Sequence, residues 1–296
     1  MNIFQNTSSC WVKYSEYKYR KSANGIMYIV PTADSKLKIY DPLENAEIMI
    51  LEALNVGMLA MNRKDSETQK QAITQFVSKY GLLGFMTALP TTPKFMDYDA
   101  VYLPKNNFIK AEAMSTQEYI APFYPFNKPD FHKDSRNSQW NISGDTDMKA
   151  LALTMGDKPL AVNMCLGRDY AERYDWLIQQ FKDWAFTFSG AFMYYNDYDN
   201  LNEDTRNLYR KGMAAFEGVS PTYHIELLEK PTIIWDFHSL LLGIQMMFSF
   251  MLTDDSKPLR LCKNCVTVFK AGRANSVFCS PSCKNQYGVD RNRGRR

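Results

Sequence analysis

The chain has 296 residues and a formal net charge of +3, and 45% of its residues are hydrophobic, 14% aromatic and 23% charged. This composition excludes a disordered, collagen-like or low-complexity chain, and the length suits one large domain or two unequal ones. No apolar segment follows a basic start at the N-terminus, and polar residues interrupt the most apolar stretch, 233–252. We therefore expect a cytoplasmic protein without a signal peptide or a membrane span.

The N-terminal part of the chain is predicted to contain a hairpin and two helices. Two strand-like runs, 26–30 and 37–40, flank a turn-like segment and predict the hairpin. Apolar residues then recur at helical spacing over 42–62. Asp65 can cap a second helix, which Gly81 would end.

The middle of the chain divides into a proline-rich part and a helical part. Residues 88–145 contain six prolines and predict mostly loop, with one short helix near 115–124. Aromatic and aliphatic residues recur every three or four positions over 168–195, which predicts a long amphipathic helix.

The last elements before residue 257 are predicted to be a helix at 203–216, a strand at 222–228 and a buried helix at 235–252. The polar run 254–258 then marks a domain boundary. We therefore predict an α+β fold with two domains, a mainly helical body at 1–256 and a small domain at 257–296.

The charge is distributed unequally between these two segments. Residues 257–296 contain ten basic residues and one acidic residue, whereas the body contains 25 basic and 31 acidic residues. Because clustered charge produces a strong local field, the small domain is expected to attract a polyanion.

Four of the six cysteines lie in the basic segment, as Cys262, Cys265, Cys279 and Cys283. Two close pairs separated by a loop of thirteen residues are typical of a tetrahedral four-thiolate zinc site. A disulfide framework belongs to secreted chains, and a redox CxxC motif would not need a second pair. We therefore predict one Zn²⁺, and a structural one, because all four of its positions would be filled.

The residues around the ligands predict the local fold of this segment, which we call the finger (257–296). Residues 266–269 and 277–278 are expected to pair as a hairpin between the two ligand pairs. Ser280 is a good N-cap and Pro281 suits the first helical position, so Cys283 should lie in the first turn of a helix. A knuckle, a hairpin and a ligand-donating helix form a treble-clef-like arrangement, in which the metal replaces a core.

The run Val277-Phe-Cys-Ser-Pro-Ser-Cys-Lys-Asn-Gln286, preceded by the Cys262 knuckle, resembles the zinc finger of bacterial CGNR-type proteins. The resemblance covers about 35 of the 296 residues. It implies a bacterial transcription regulator with a larger N-terminal domain and a C-terminal finger that binds DNA. The chain has Cys283-Lys-Asn-Gln286 where that family has Cys-Gly-Asn-Arg, and its first knuckle is shorter.

We predict that the finger binds nucleic acid, with DNA favoured over RNA, and that the body acts as a sensor or oligomerisation unit. Basic side chains would face phosphates, and two amides on the helix would read base edges. The candidate contact residues are Arg273, Lys284, Asn285, Gln286, Arg291, Arg293, Arg295 and Arg296. A solvated, frayed terminus is the alternative for the tail.

Two other functions stay open at this stage. The finger could be a structural or protein-interaction module that docks on the acidic body, as the opposite charges permit. The body could also be an enzyme, although the sequence contains no recognised catalytic or phosphate-binding motif. Of the three histidines, His238 lies near Asp236 on a predicted helix, where the two side chains would point apart.

Overall fold

The structure is a computed structural model that describes residues 7–21, 25–62, 65–85, 101–102, 108, 113–115, 165–166, 170–214, 216, 221–237, 239–273 and 275–293. Most of the predicted loop region 88–145, including the helix expected near 115–124, lies outside the described residues, as do His132 and His238.

The described residues mix helices with small sheets, which confirms the α+β class. The α-helices are α1 (Ala46–Met61), α2 (Ser66–Tyr80), α3 (Tyr174–Asn196), α4 (Glu203–Ala214), α5 (Leu240–Leu252) and α6 (Pro281–Asn292). The strands are β1 (Thr7–Ser9), β2 (Trp11–Tyr14), β3 (Tyr17–Lys21), β4 (Met27–Pro31), β5 (Leu37–Tyr40), β6 (Val101–Tyr102), β7 (Ala113–Met114), β8 (Glu172–Arg173), β9 (Thr222–Leu227), β10 (Pro231–Phe237), β11 (Leu259–Leu261) and β12 (Val268–Lys270). None of the described helices has the length and hydropathy that a bilayer crossing requires.

The predicted hairpin between 26–30 and 37–40 is wrong, although both strands exist. β4 pairs with β3, and β5 pairs with β2, so the chain forms one long antiparallel ribbon that bends at 32–36. Its turn lies near Gly25, whose φ of +82° suits a residue without a side chain. The segment 31–35 is a bend within one arm of the ribbon.

Helix predictions from periodicity and capping are confirmed for α1 and α2. Asp65 caps α2 by accepting a hydrogen bond from the Thr68 N–H, and Gly81 follows its last residue with a φ of +92°. α1 packs closely against α3 at Gly57, where a Cβ would lie 2.0 Å from the carbonyl oxygen of Phe181. The two helices therefore form the centre of the core.

The aromatic stripe predicted for 168–195 is confirmed as a core-facing stripe on α3. Trp176, Phe181, Trp184 and Phe188 are all buried. The helix begins later than expected, because Glu172 and Arg173 form the short strand β8, which pairs with β4. The stripe therefore serves packing.

Glu172 is a fully buried carboxylate that holds a distant loop in place. It accepts hydrogen bonds from the backbone N–H groups of Leu83 (2.9 Å), Gly84 (2.5 Å) and Phe85 (3.1 Å), and from the Tyr170 hydroxyl (2.7 Å). Burial raises the pKa of Glu172, and these four donors oppose that shift. The side chain thereby joins β8 to the segment that follows α2.

The buried helix predicted for 235–252 is shorter than expected. Residues Pro231–Phe237 form the strand β10, which lies between β1 and β9, and only Leu240–Leu252 are helical. Ser239 caps the helix through the Leu242 N–H. Ile234 and Phe237 are the residues of β10 that are buried.

Candidate metal centre

The four predicted ligands, Cys262, Cys265, Cys279 and Cys283, lie together at one end of the finger. All four sulfur atoms are within 4.8 Å of one another. The Sγ atoms of Cys265 and Cys279 are 3.7 Å apart, and those of Cys279 and Cys283 are 3.5 Å apart. A tetrahedron with metal–sulfur bonds of about 2.3 Å has sulfur–sulfur edges of about 3.8 Å. The cluster is therefore positioned to hold a metal ion, and its thiols are not joined in disulfides.

Each ligand pair is presented by a short element with its own hydrogen bonds. The first pair lies in the turn between β11 and β12, where the Cys262 N–H donates to the Thr267 carbonyl and the Val266 N–H donates to the Cys262 carbonyl, both at 3.0 Å. The second pair flanks the start of α6. Ser280 caps this helix by accepting a hydrogen bond from the Cys283 N–H, as predicted.

The predicted hairpin between the ligand pairs is wrong. β12 pairs with β11, which precedes the first ligand, so the hairpin carries the first pair at its tip. Leu259 and Val268 of this hairpin are buried in the main core, and burial of both strands favours this pairing. Residues 277–278 do not form a strand, although the Val277 carbonyl accepts a hydrogen bond from the Lys263 N–H at 3.0 Å.

The environment of the sulfur atoms favours a bound cation. Burial opposes ionisation of Cys262, but backbone N–H groups, including that of Cys279 at 3.4 Å, donate to its sulfur and lower its pKa to about 6. Burial and the neighbouring thiols raise the pKa of Cys279 to about 12. Four thiolates at this spacing repel one another, so a cation must compensate them before all four ionise.

Val266 lies directly after the first ligand pair and has a φ of +58°, which is a left-handed conformation. A β-branched residue is strained there by about 1–2 kcal/mol. We expect Val266→Gly to stabilise the finger by about 1 kcal/mol, because glycine adopts this conformation freely. The measurement is the urea midpoint of the metal-loaded protein.

Val277→Gly is the matched control for this substitution, because Val277 is also exposed but has no positive φ. We expect the control to destabilise the finger by roughly 0.5–1 kcal/mol. If both variants lose the same free energy of unfolding, the backbone is not strained at Val266.

Contacts between the finger and the body cross the predicted boundary at residue 256. The Asn55 side chain of α1 accepts a hydrogen bond from the Val268 N–H at 2.7 Å and donates one to the Val268 carbonyl at 3.1 Å. Lys270 pairs with Glu47 of the same helix at 2.8 Å. The hairpin is therefore anchored on the surface of α1.

None of the twelve residues of α6 is fully buried. Its half-buried residues are Cys283, Tyr287 and Asp290. These residues are three or four positions apart and therefore lie on one face of the helix, which we call the inner face. The Tyr287 ring packs against Phe278. The predicted contact residues that lie exposed on α6 or just beyond it are Lys284, Asn285, Gln286, Arg291 and Arg293. Arg273 is exposed on the loop that precedes α6, whereas Arg295 and Arg296 lie outside the described residues.

The Asp236 carboxylate contacts His224, whereas the sequence analysis considered His238 as its neighbour. Asp236 is on β10, and its Oδ2 lies 2.7 Å from Nδ1 of His224 on β9. The expectation that Asp236 and His238 share a helix is wrong, because β10 continues through Phe237. The pair is exposed enough on the His224 side that it marks no enclosed catalytic site.

Asn55 joins the body to the finger, and no motif in the sequence predicts this role. It is a polar side chain within the otherwise apolar stretch Ala53 to Met58, and that contrast was the available signal.

Comparisons of this chain with models of protein families, with curated proteins and with solved structures find no match.

Proposed function

We propose that the four cysteines hold one structural Zn²⁺ in a treble-clef-like finger. Two ligands come from the tip of a hairpin and two from the start of a helix. A tetrahedral set of four sulfur donors suits zinc or iron, and zinc is the usual occupant when no redox role is required. Four protein ligands leave no position for a water nucleophile, so the metal organises the fold.

We further propose that α6 binds nucleic acid, and the layout of its outer face is the observation that carries this proposal. At 100° per residue, the face opposite the inner residues contains Pro281, Asn285, Gly288 and Asn292, and the exposed Val289 lies at its edge. Lys284 and Arg291 lie along one flank, and Gln286 and Arg293 lie along the other. Amides on a central ridge with cations on its flanks suit base edges between two phosphate backbones.

The shape of α6 favours DNA over RNA. The described part of the helix is twelve residues long, and its outer residues are exposed along the whole length. The major groove of B-DNA admits an α-helix, whereas the major groove of A-form RNA is too narrow for one. The positive net charge of the finger would attract the phosphates of DNA and RNA duplexes alike, so it does not distinguish between them.

The resemblance to the CGNR-type finger supports the same proposal from the sequence. The departure at Gln286 matters for the details, because its Nε2 donates to Asp290 at 2.9 Å. Because this hydrogen bond occupies the Gln286 amide on the flank of the helix, Asn285 is the better candidate for contacting a base edge. Asn285→Ala should reduce discrimination between DNA sequences more than it reduces average affinity.

We expect the triple variant Lys284→Ala, Arg291→Ala, Arg293→Ala to weaken binding to many DNA sequences alike. Each lost phosphate contact should flatten the slope of log K against log salt by about 0.9. Fluorescence anisotropy with labelled duplex DNA and with duplex RNA of the same sequence, over a salt series, measures both effects. The tail residues Arg295 and Arg296 can be added to the set in a second variant.

A matched control removes the same number of charges from the body. Lys18, Lys36 and Lys38 are exposed on the N-terminal ribbon, and their replacement by alanine should leave the salt slope almost unchanged. Metal-loaded protein that binds neither DNA nor RNA at low salt contradicts the proposal. Equal losses in both triple variants would indicate unspecific attraction to the whole chain.

A second candidate function is a structural finger that fastens the body of the same chain. The hydrogen bonds between Asn55 and Val268, and the ion pair between Glu47 and Lys270, favour it. This function requires β11 and β12 but not the outer face of α6. Replacement of the outer side chains of α6 should then leave the attachment of the finger to the body unchanged.

An enzyme in the body stays a prediction, and the contacts between the finger and the body offer no support for it.

A further inference from the structure

Among the described strands, β9 lies at the edge of the sheet that it forms with β10 and β1. In the order β1–β10–β9, β10 is the one described strand that pairs with β9. All six residues of β9 are exposed. Alternate side chains of a strand point to one face, and here these are Tyr223, Ile225 and Leu227, which are 61%, 64% and 82% exposed. The outer strand is therefore apolar on one face along its whole length.

The apolar face continues across the neighbouring strand. Ile225 lies opposite Ile233, which is also exposed, and Tyr223 lies opposite Trp235 with the two rings 5.6 Å apart. An exposed apolar patch of this kind on a folded protein usually marks an interaction surface. Sheet edges are commonly protected from pairing by proline or by charged side chains, and β9 has no proline or lysine and one acidic residue, Glu226.

We propose that β9 pairs antiparallel with β9 of a second copy of this chain, with Ile225 opposite Ile225 on the twofold axis. In this register Tyr223 lies opposite Leu227 of the other copy, so apolar side chains meet on one face. The interface is isologous, because both copies contribute the same strand.

The polar side chains of β9 favour this register over the two that are displaced by one residue. With Ile225 on the axis, His224 of each copy lies opposite Glu226 of the other, which gives two favourable cross-strand pairs. A shift that places Glu226 on the axis brings two carboxylates together, and a shift that places His224 on the axis brings two imidazoles together. Asp236 already contacts His224 from β10, so the imidazole would lie between two carboxylates.

The test uses the full-length, metal-loaded chain in analytical ultracentrifugation over a concentration series. We expect the unaltered protein to dimerise and both Ile225→Lys and Ile225→Glu to sediment as monomers, because each variant brings like charges together on the axis. An equimolar mixture of the two variants should form a heterodimer, since lysine then faces glutamate. Ile225 is exposed, so the circular dichroism of both variants should match that of the unaltered protein.

Ile233→Lys is the matched control, because Ile233 lies on the same apolar face but on the inner strand β10. We expect this variant to remain dimeric. If Ile233→Lys dissociates as fully as Ile225→Lys, the copies stack through their faces and edge pairing is wrong. A monomeric unaltered protein at the highest soluble concentration, or a mixture of variants that stays monomeric, also overturns the proposal.

Discussion

Cys279→Ser is expected to abolish metal retention, lowering the metal content from one ion per chain to near zero after dialysis. Its sulfur lies 3.7 Å from that of Cys265 and 3.5 Å from that of Cys283, so it is central to the cluster. A serine hydroxyl ionises too weakly to replace a thiolate ligand. Structural zinc contributes roughly 10–16 kcal/mol to the folding of isolated fingers, so α6 should lose its fixed structure.

Elemental analysis by mass spectrometry measures this loss and identifies the metal. Cys10→Ser is the control, because Cys10 is a half-buried free cysteine outside the cluster, and this variant should keep its metal. Iron in place of zinc would overturn the choice of metal and retain the site. Unaltered protein without any metal, or with the four cysteines oxidised to disulfides, would contradict the metal site itself.

Metal removal by a chelator also shows how far the finger is independent of the body. The body has its own apolar core, so we expect most of the helical circular dichroism to survive while the finger unfolds. The contacts of Asn55 with Val268 should protect the hairpin longer than α6. Loss of the whole helical signal in one cooperative step would favour the structural finger over the nucleic-acid-binding one.

The sequence predicted the elements whose signals are local. Helical periodicity located α1, α2 and the core-facing stripe of α3, and capping chemistry located the two ends of α2 at Asp65 and Gly81. The start of α6 at Ser280 and Pro281 follows from the same rules. The cysteine spacing predicted the metal cluster because four thiols within 22 residues of chain have few other uses in one place.

Strand partners could not be predicted because they depend on distant residues. Tyr17 pairs with Pro31 and Trp11 with Tyr40, although the turn-like segment 31–35 suggested that the flanking strands pair with each other. The finger hairpin was misplaced for the same reason, since the partner of β12 precedes the ligands. In both cases the observed pairing places strand residues in the main core, which is a long-range effect that local sequence patterns do not contain.

Sequence patterns also failed for single polar residues with one long-range role. Asn55 lies on α1 and contacts the finger more than 200 residues away along the chain. Glu172 reaches backbone groups 87 to 89 residues earlier. Neither belongs to a motif, because one side chain facing one distant loop leaves no periodicity to detect.

Glu172→Ala is expected to destabilise the body by roughly 3–5 kcal/mol, because it removes the buried carboxylate to which three backbone N–H groups donate hydrogen bonds. The three groups are those of Leu83, Gly84 and Phe85, and the side chain that now satisfies them is fully buried. The Trp11 indole donates to the Leu82 carbonyl at 2.8 Å, so disorder of this segment would also loosen the N-terminal ribbon.

Two milder substitutions distinguish the stability lost with the hydrogen bonds from the stability lost through the cavity that alanine creates. Glu172→Gln keeps one oxygen for Gly84 and Phe85 but turns its amide N–H₂ toward the Leu83 N–H, so its loss should be intermediate. Tyr170→Phe removes the hydroxyl that donates to Glu172 and that also interacts with the Cys165 thiol, and the expected loss is about 1 kcal/mol. Urea unfolding followed by tryptophan fluorescence gives all three values, and Tyr170→Phe remains informative if the alanine variant fails to fold. A glutamine variant as stable as the unaltered protein would show that the second carboxylate oxygen does not hold the loop.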